Sequence, residues 1–175
     1  MSTPADINNH TQRILGKPSS WVDARLELID TQPLHGGRRV LLYGNGNVVV
    51  QQVQPGLQER RYEFRVERER ALNLLQLCVK NNLAEIDTEH RLGLPNEARV
   101  QLRLVGSQLK ECRVYKWAGV QNRKFDSIYQ AMLEFEQEIE GETPFYEGVY
   151  QDYYYLDNRP KNFAGGCRIG MIRLI

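Results

Sequence analysis

The chain's three histidines and three cysteines are its candidate zinc ligands, and their spacing does not build a site. His10, His35 and His90 are scattered through stretches that read as loops, with no pair at helical spacing. Cys78, Cys112 and Cys167 lie far apart and form no Cys-x-x-Cys. Structural zinc needs four ligands in closely spaced pairs, so neither a metal nor a cofactor is expected. Gly44-Asn45-Gly46 lies between two strand-like runs, so its amides do not converge on an anion as they would at a helix N-terminus. The run Gly165 to Gly170 lacks both the spacing of a phosphate loop and a helix after it. Cys167 has Arg168 beside it, a neighbour that lowers a thiol pKa. Its alternation with Ile169 and Met171 instead assigns it to the inward face of a strand. Ser19, Ser20 and Ser127 have no recognisable general base, and Glu134, Glu136, Glu138, Glu140 and Glu142 spread around a helix rather than converging. These readings favour a non-enzymatic protein.

The pattern that does point somewhere is electrostatic. Residues 99 to 124 carry seven basic side chains against one acid, a local charge of +6, whereas residues 134 to 148 carry six glutamates and no base. Along the basic segment Val100, Leu102, Leu104, Cys112 and Val114 alternate with Arg99, Gln101, Arg103, Arg113, Tyr115 and Trp117. If the first set faces a core, the second set shares the opposite face of a hairpin. Arg, Tyr and Trp are the residues that binding hot spots favour, so Arg99, Arg103, Arg113, Tyr115 and Trp117 are the expected contact residues for another protein. The same groups could stack single-stranded bases and meet phosphates, a weaker reading without an RNP-like aromatic pattern. The plainest alternative makes Arg25, Glu27, Arg61, Glu63, Arg65, Arg103 and Arg113 the wet, charge-paired side of a sheet. A further alternative is a small-ligand pocket or enzyme site beneath the tyrosine-rich C-terminal stretch, lined by Tyr150, Tyr153 and Tyr155.

The elements that must position these groups follow from periodicity. Trp21 to Ile29 alternates, with Val22, Ala24, Leu26 and Leu28 opposed to Asp23, Arg25 and Glu27, which predicts a half-buried strand. Arg39 to Tyr43 and Val48 to Val53 form a hairpin around the Gly44 to Asn47 turn. Pro55-Gly56 separates it from a strand over Arg61 to Val66. Apolar spacing then becomes helical at Leu72, Leu75, Cys78, Val79 and Leu83. Ala98 to Val105 and Leu109 to Trp117 form a second hairpin. Phe125, Ile128, Tyr129, Met132, Phe135 and Ile139 trace the stripe of a second helix. The order ββββ-α-ββ-α predicts an α+β fold: an antiparallel sheet of sequential hairpins, with two helices on one face.

Length and composition set the frame. A chain of 175 residues, 41% hydrophobic and 26% charged, has room for one good core rather than two. Residues 1–20 read as a flexible arm and 21–140 as the α+β domain. Residues 141–175, holding five of the nine tyrosines, read as an extension packing back on it, with Cys167 to Leu174 as a possible final strand. Net charge is +1, so no bulk attraction to nucleic acid or membrane is expected. No apolar run approaches a membrane span and the start shows no signal-peptide pattern, so a cytoplasmic setting is expected. The resulting expectation is a cytoplasmic interaction or adaptor domain.

Overall fold

The computed structural model describes residues 9–32, 35–88 and 97–151. Among these residues seven strands form one antiparallel sheet: β1 (Arg25–Gln32), β2 (Gly36–Tyr43), β3 (Asn47–Gln54), β4 (Gln58–Arg65), β5 (Arg99–Val105), β6 (Glu111–Trp117) and β7 (Tyr146–Val149). The helices are α1 (His10–Leu15), α2 (Arg68–Lys80) and α3 (Arg123–Gln137). The fold is α+β, as the order of strand and helix periodicities implies.

Strand order across the sheet is β6-β5-β1-β2-β3-β4-β7. The first four strands form a meander because tight turns join them. Gly46, at φ +96°, occupies the left-handed region that the β2–β3 turn requires. At Gly44 a Cβ would sit 1.7 Å from the Trp21 carbonyl oxygen, so the close approach of the two backbones also excludes a side chain there. From β4 the chain crosses through α2 to the far side of β1, where β5 pairs with β1 in the register Glu27 to Arg103. It then returns through α3 to add β7 outside β4, with Arg61 opposite Tyr146.

Alternation gives the sheet two distinct faces. The inner face carries Ala24, Leu26, Leu28, Val40, Leu42, Val48, Val50, Tyr62, Val100, Leu102, Leu104 and Val114. The buried apolar residues of all three helices join this same cluster: Ile14 and Leu15 from α1, Leu74, Leu75 and Cys78 from α2, Phe125, Ile128, Met132 and Phe135 from α3. Burying each of these large side chains contributes about 1.5 to 3 kcal/mol. The α3 helix starts where the Asn122 side chain accepts a hydrogen bond from the Phe125 amide at 3.0 Å. Polar clamps then fix it across the sheet. The Tyr129 hydroxyl donates to Asp30 at 2.8 Å, while Glu136 accepts from Gln52 at 3.1 Å and pairs with Arg38 at 2.7 Å.

Three boundaries differ from those expected. Residues 9–20 are docked rather than loose: Thr11, Ile14 and Leu15 are buried, and the Asn9 amide nitrogen donates to the Val79 carbonyl at 2.7 Å. Pro18 to Asp23 forms a 3₁₀ turn in place of the first part of the expected strand, since proline suits the first turn of a helix. At the other end residues 146–149 of the extension join the sheet as β7, paired with β4. The rest of the tyrosine-rich extension, from 152, lies outside the described residues, as does the strand expected over Cys167 to Leu174.

Candidate interaction face

The register of the β5–β6 hairpin sets Arg99 opposite Trp117, Gln101 opposite Tyr115 and Arg103 opposite Arg113. All six therefore share the outer face, opposite the helices. Their environments divide them. Arg99 is exposed, and its guanidinium lies over the Tyr115 ring at 4.4 Å and the Trp117 ring at 5.8 Å. Both rings are half-buried. Among the described residues no carboxylate lies within ion-pair distance of Arg99, so the aromatic faces are its electrostatic partners.

Arg103 occupies a different environment, at only 7% exposure. It donates to one Glu111 oxygen from Nε at 3.0 Å and from Nη2 at 2.7 Å, and it stands 3.6 Å from Glu27. Arg113, one strand outward, is exposed and donates to the other Glu111 oxygen at 3.1 Å. The hydrogen bonds from Arg103 hold the Glu111 carboxyl below its ordinary value, against the upward push of partial desolvation. Lys116 points to the inner side and pairs with Asp126 at 2.5 Å. Three of the segment's seven bases, Arg103, Arg113 and Lys116, are thus paired with carboxylates, and Arg99 is the one that lies on an aromatic bed.

Glu27 begins a polar network that the sequence reading left on a wet face. Glu27 and Arg39 are ion-paired and each is 2% exposed. On the adjoining strands Gln51 donates to Glu59 at 2.5 Å, and Arg61 pairs with the other oxygen of Glu59 at 2.5 Å. All three are buried, as is a small apolar cluster of Leu41, Tyr43 and Val49 beside them. Among the described residues the exposed positions of this face, including Glu63, Arg65, Arg99 and Arg113, lie at its rim. Alternation reports which residues share a face. It is silent on whether that face is wet, because charged residues placed diagonally across neighbouring strands satisfy one another when dry. The available signal was opposite charge at Glu27, Arg39, Glu59, Arg61 and Arg103, all on one side of paired strands.

Of the tyrosines assigned to an alternative pocket, Tyr150 is half-buried and its amide donates to the Leu57 carbonyl at 2.8 Å, extending the β4–β7 pairing. Tyr153 and Tyr155 lie outside the described residues. Two clefts are defined by described side chains. One of about 410 Å³ is lined by His10, Arg13, Ile14, Lys110 and Glu111, the other of about 460 Å³ by Arg70, Glu134, Gln137 and Glu138. Neither brings a nucleophile to a base. Among the described residues no group of three or more His, Cys, Asp or Glu is placed to hold a metal, and no helix is long and apolar enough to cross a membrane. Burial pushes the Cys112 thiol up to about 11 and the Cys78 thiol up as well, which leaves both weak as nucleophiles. Comparison with protein-family models, curated proteins and solved structures finds no match.

Proposed function

We propose that this chain is a non-enzymatic interaction or adaptor domain, and that its contact surface is the Arg99, Tyr115 and Trp117 corner of the outer face, with Arg113 at the rim. The observation that carries the reading is the exposed Arg99 guanidinium held over two aromatic rings. Such a group is already ordered, and no carboxylate among the described residues competes for it. Binding an acidic or carbonyl-rich segment of another protein there costs little side-chain entropy. A half-buried Tyr and Trp beside it supply the apolar part of a hot spot. Arg103 shares Glu111 with Arg113 and is not itself a contact residue in this reading. A reducing, cytoplasmic setting fits two free thiols, Cys78 and Cys112, that serve as packing residues.

The test is quantitative capture by the purified protein and by Arg99→Glu, compared at equal melting temperature. Arg99→Glu loses the captured partner while unfolding at the same temperature, because the residue is exposed and no carboxylate among the described residues pairs with it. Undiminished capture by Arg99→Glu contradicts the assignment of this corner. Single-stranded nucleic acid is distinguished by salt: an oligonucleotide that binds at low salt and releases steeply as salt rises would replace the protein partner with a phosphate backbone.

A further inference from the structure

The outer face of the sheet has a dry centre, and the inner helices do not account for it. Glu27, Arg39, Gln51, Glu59 and Arg61 are each at most 3% exposed, and Leu41 and Val49 lie among them at 0% and 2%. The buried apolar residues of α1, α2 and α3 all belong to the inner cluster, so none of these helices roofs the outer side. Charges desolvated to this degree cost several kcal/mol each unless they are paired and sheltered together.

The last described residue, Gln151, is tied to this network. The Gln151 amide donates to Glu59 Oε2 at 3.0 Å, while its carbonyl accepts from Gln51 at 3.3 Å and from Arg61 Nη2 at 3.2 Å. Both backbone polar groups of Gln151 are thus held by side chains of the buried network itself, on β3 and β4, inward from the β7 edge. We propose that the occupant of the outer face is the segment of this chain that follows, residues 152–175. Its length suffices: 24 residues reach about 80 Å when extended, against about 29 Å across seven strands. Its composition suits the apolar patch of Leu41, Tyr43 and Val49, since it contains Tyr153, Tyr154, Tyr155, Leu156 and Phe163. This inference concerns the β1 to β4 half of the face, and it stands or falls independently of the Arg99 corner.

Two variants, each with one added cysteine, test it, with labelling read peptide by peptide by mass spectrometry. Val49→Cys reports on the outer face and Val50→Cys on the inner core, since the two residues point to opposite sides of β3. Each is studied in the full chain carrying a protease site inserted between Gln151 and Asp152. In the intact protein both thiols label slowly. After cleavage and removal of the segment by gel filtration, the thiol at position 49 labels at least about tenfold faster while position 50 stays protected, as expected for exposure of one face without unfolding. Should both positions open together, adding the isolated 152–175 peptide restores protection at both. Continued protection at position 49 after removal overturns the proposal, as does rapid labelling there in the intact chain or a failure of the peptide to restore protection. Protection at position 49 that fades on dilution of the intact protein overturns it in favour of a second copy.

Discussion

The two faces of one sheet are buried by different physics. On the inner face Leu26, Val40, Val50, Leu102 and their neighbours meet apolar helix stripes, and the gain is area removed from water. On the outer face Glu27 serves Arg39 and Arg103, and Glu59 serves Arg61 and Gln51, within a surface almost as dry. Apolar packing tolerates a change of shape at a cost set by the cavity left behind. A buried ion network tolerates little, because removing one partner leaves the other charged and desolvated. The inner face therefore supplies stability, and the outer face is where a single charge change does the most harm for its size.

The sharpest way to break this comparison is Glu27→Ala. It takes the buried carboxylate away from Arg39 and one of two carboxylates away from Arg103, and it is expected to cost about 3 to 5 kcal/mol in urea unfolding, comparable with Phe125→Ala in the inner core. A cost under about 1 kcal/mol would mean that the pair is wet and the two faces do not differ as described.

Arg103 and Arg113 sharpen it next, since they sit directly opposite each other on β5 and β6. Arg103→Glu places a carboxylate between Glu27 and Glu111 and is expected to cost several kcal/mol, whereas Arg113→Glu, at the exposed rim, changes stability by less than about 1 kcal/mol. Thermal unfolding of the two variants side by side reads the contrast; equal losses would erase it.

The smallest expected effects come from pH. A carboxyl held below its ordinary value of 4.5, as Glu111 is, contributes stability that is present above that pH and lost as pH falls through its lowered folded value. Glu111→Gln should therefore flatten the acid limb of the stability profile below pH 4.5. Tyr129 has the opposite sign. Burial, then its hydrogen bond to Asp30, pushes its hydroxyl from 10.0 up to about 12, so its contribution is intact below pH 10 and lost as pH rises toward 12. Tyr129→Phe should remove that alkaline loss, and absorbance titration of the tyrosines checks it.

What the sequence made legible and what it did not separate along the same line. The β2–β3 hairpin could be read because Gly44 and Gly46 are turn residues with a mechanism, and α3 because its stripe from Phe125 to Ile139 has a helical period. The pairing of β5 with β1 could not, since local alternation carries no record of which distant strand is the neighbour. Nor could the 3₁₀ turn over Pro18 to Asp23, where Val22 and Ala24 happen to continue the alternation of β1. The shared outer face of Arg99, Tyr115 and Trp117 follows from period two alone. That Arg103 is enclosed while Arg99 is open depends on Glu27, a residue of a different strand.

A double-mutant cycle on Glu27 and Arg39, measured by equilibrium urea unfolding, tests the central claim most directly. A buried network predicts that the two truncations fail to add by about 2 to 3 kcal/mol, because the second removal relieves the charge stranded by the first. Additivity to within about 0.5 kcal/mol would show two independent, solvated groups and would contradict the dry, charged outer face.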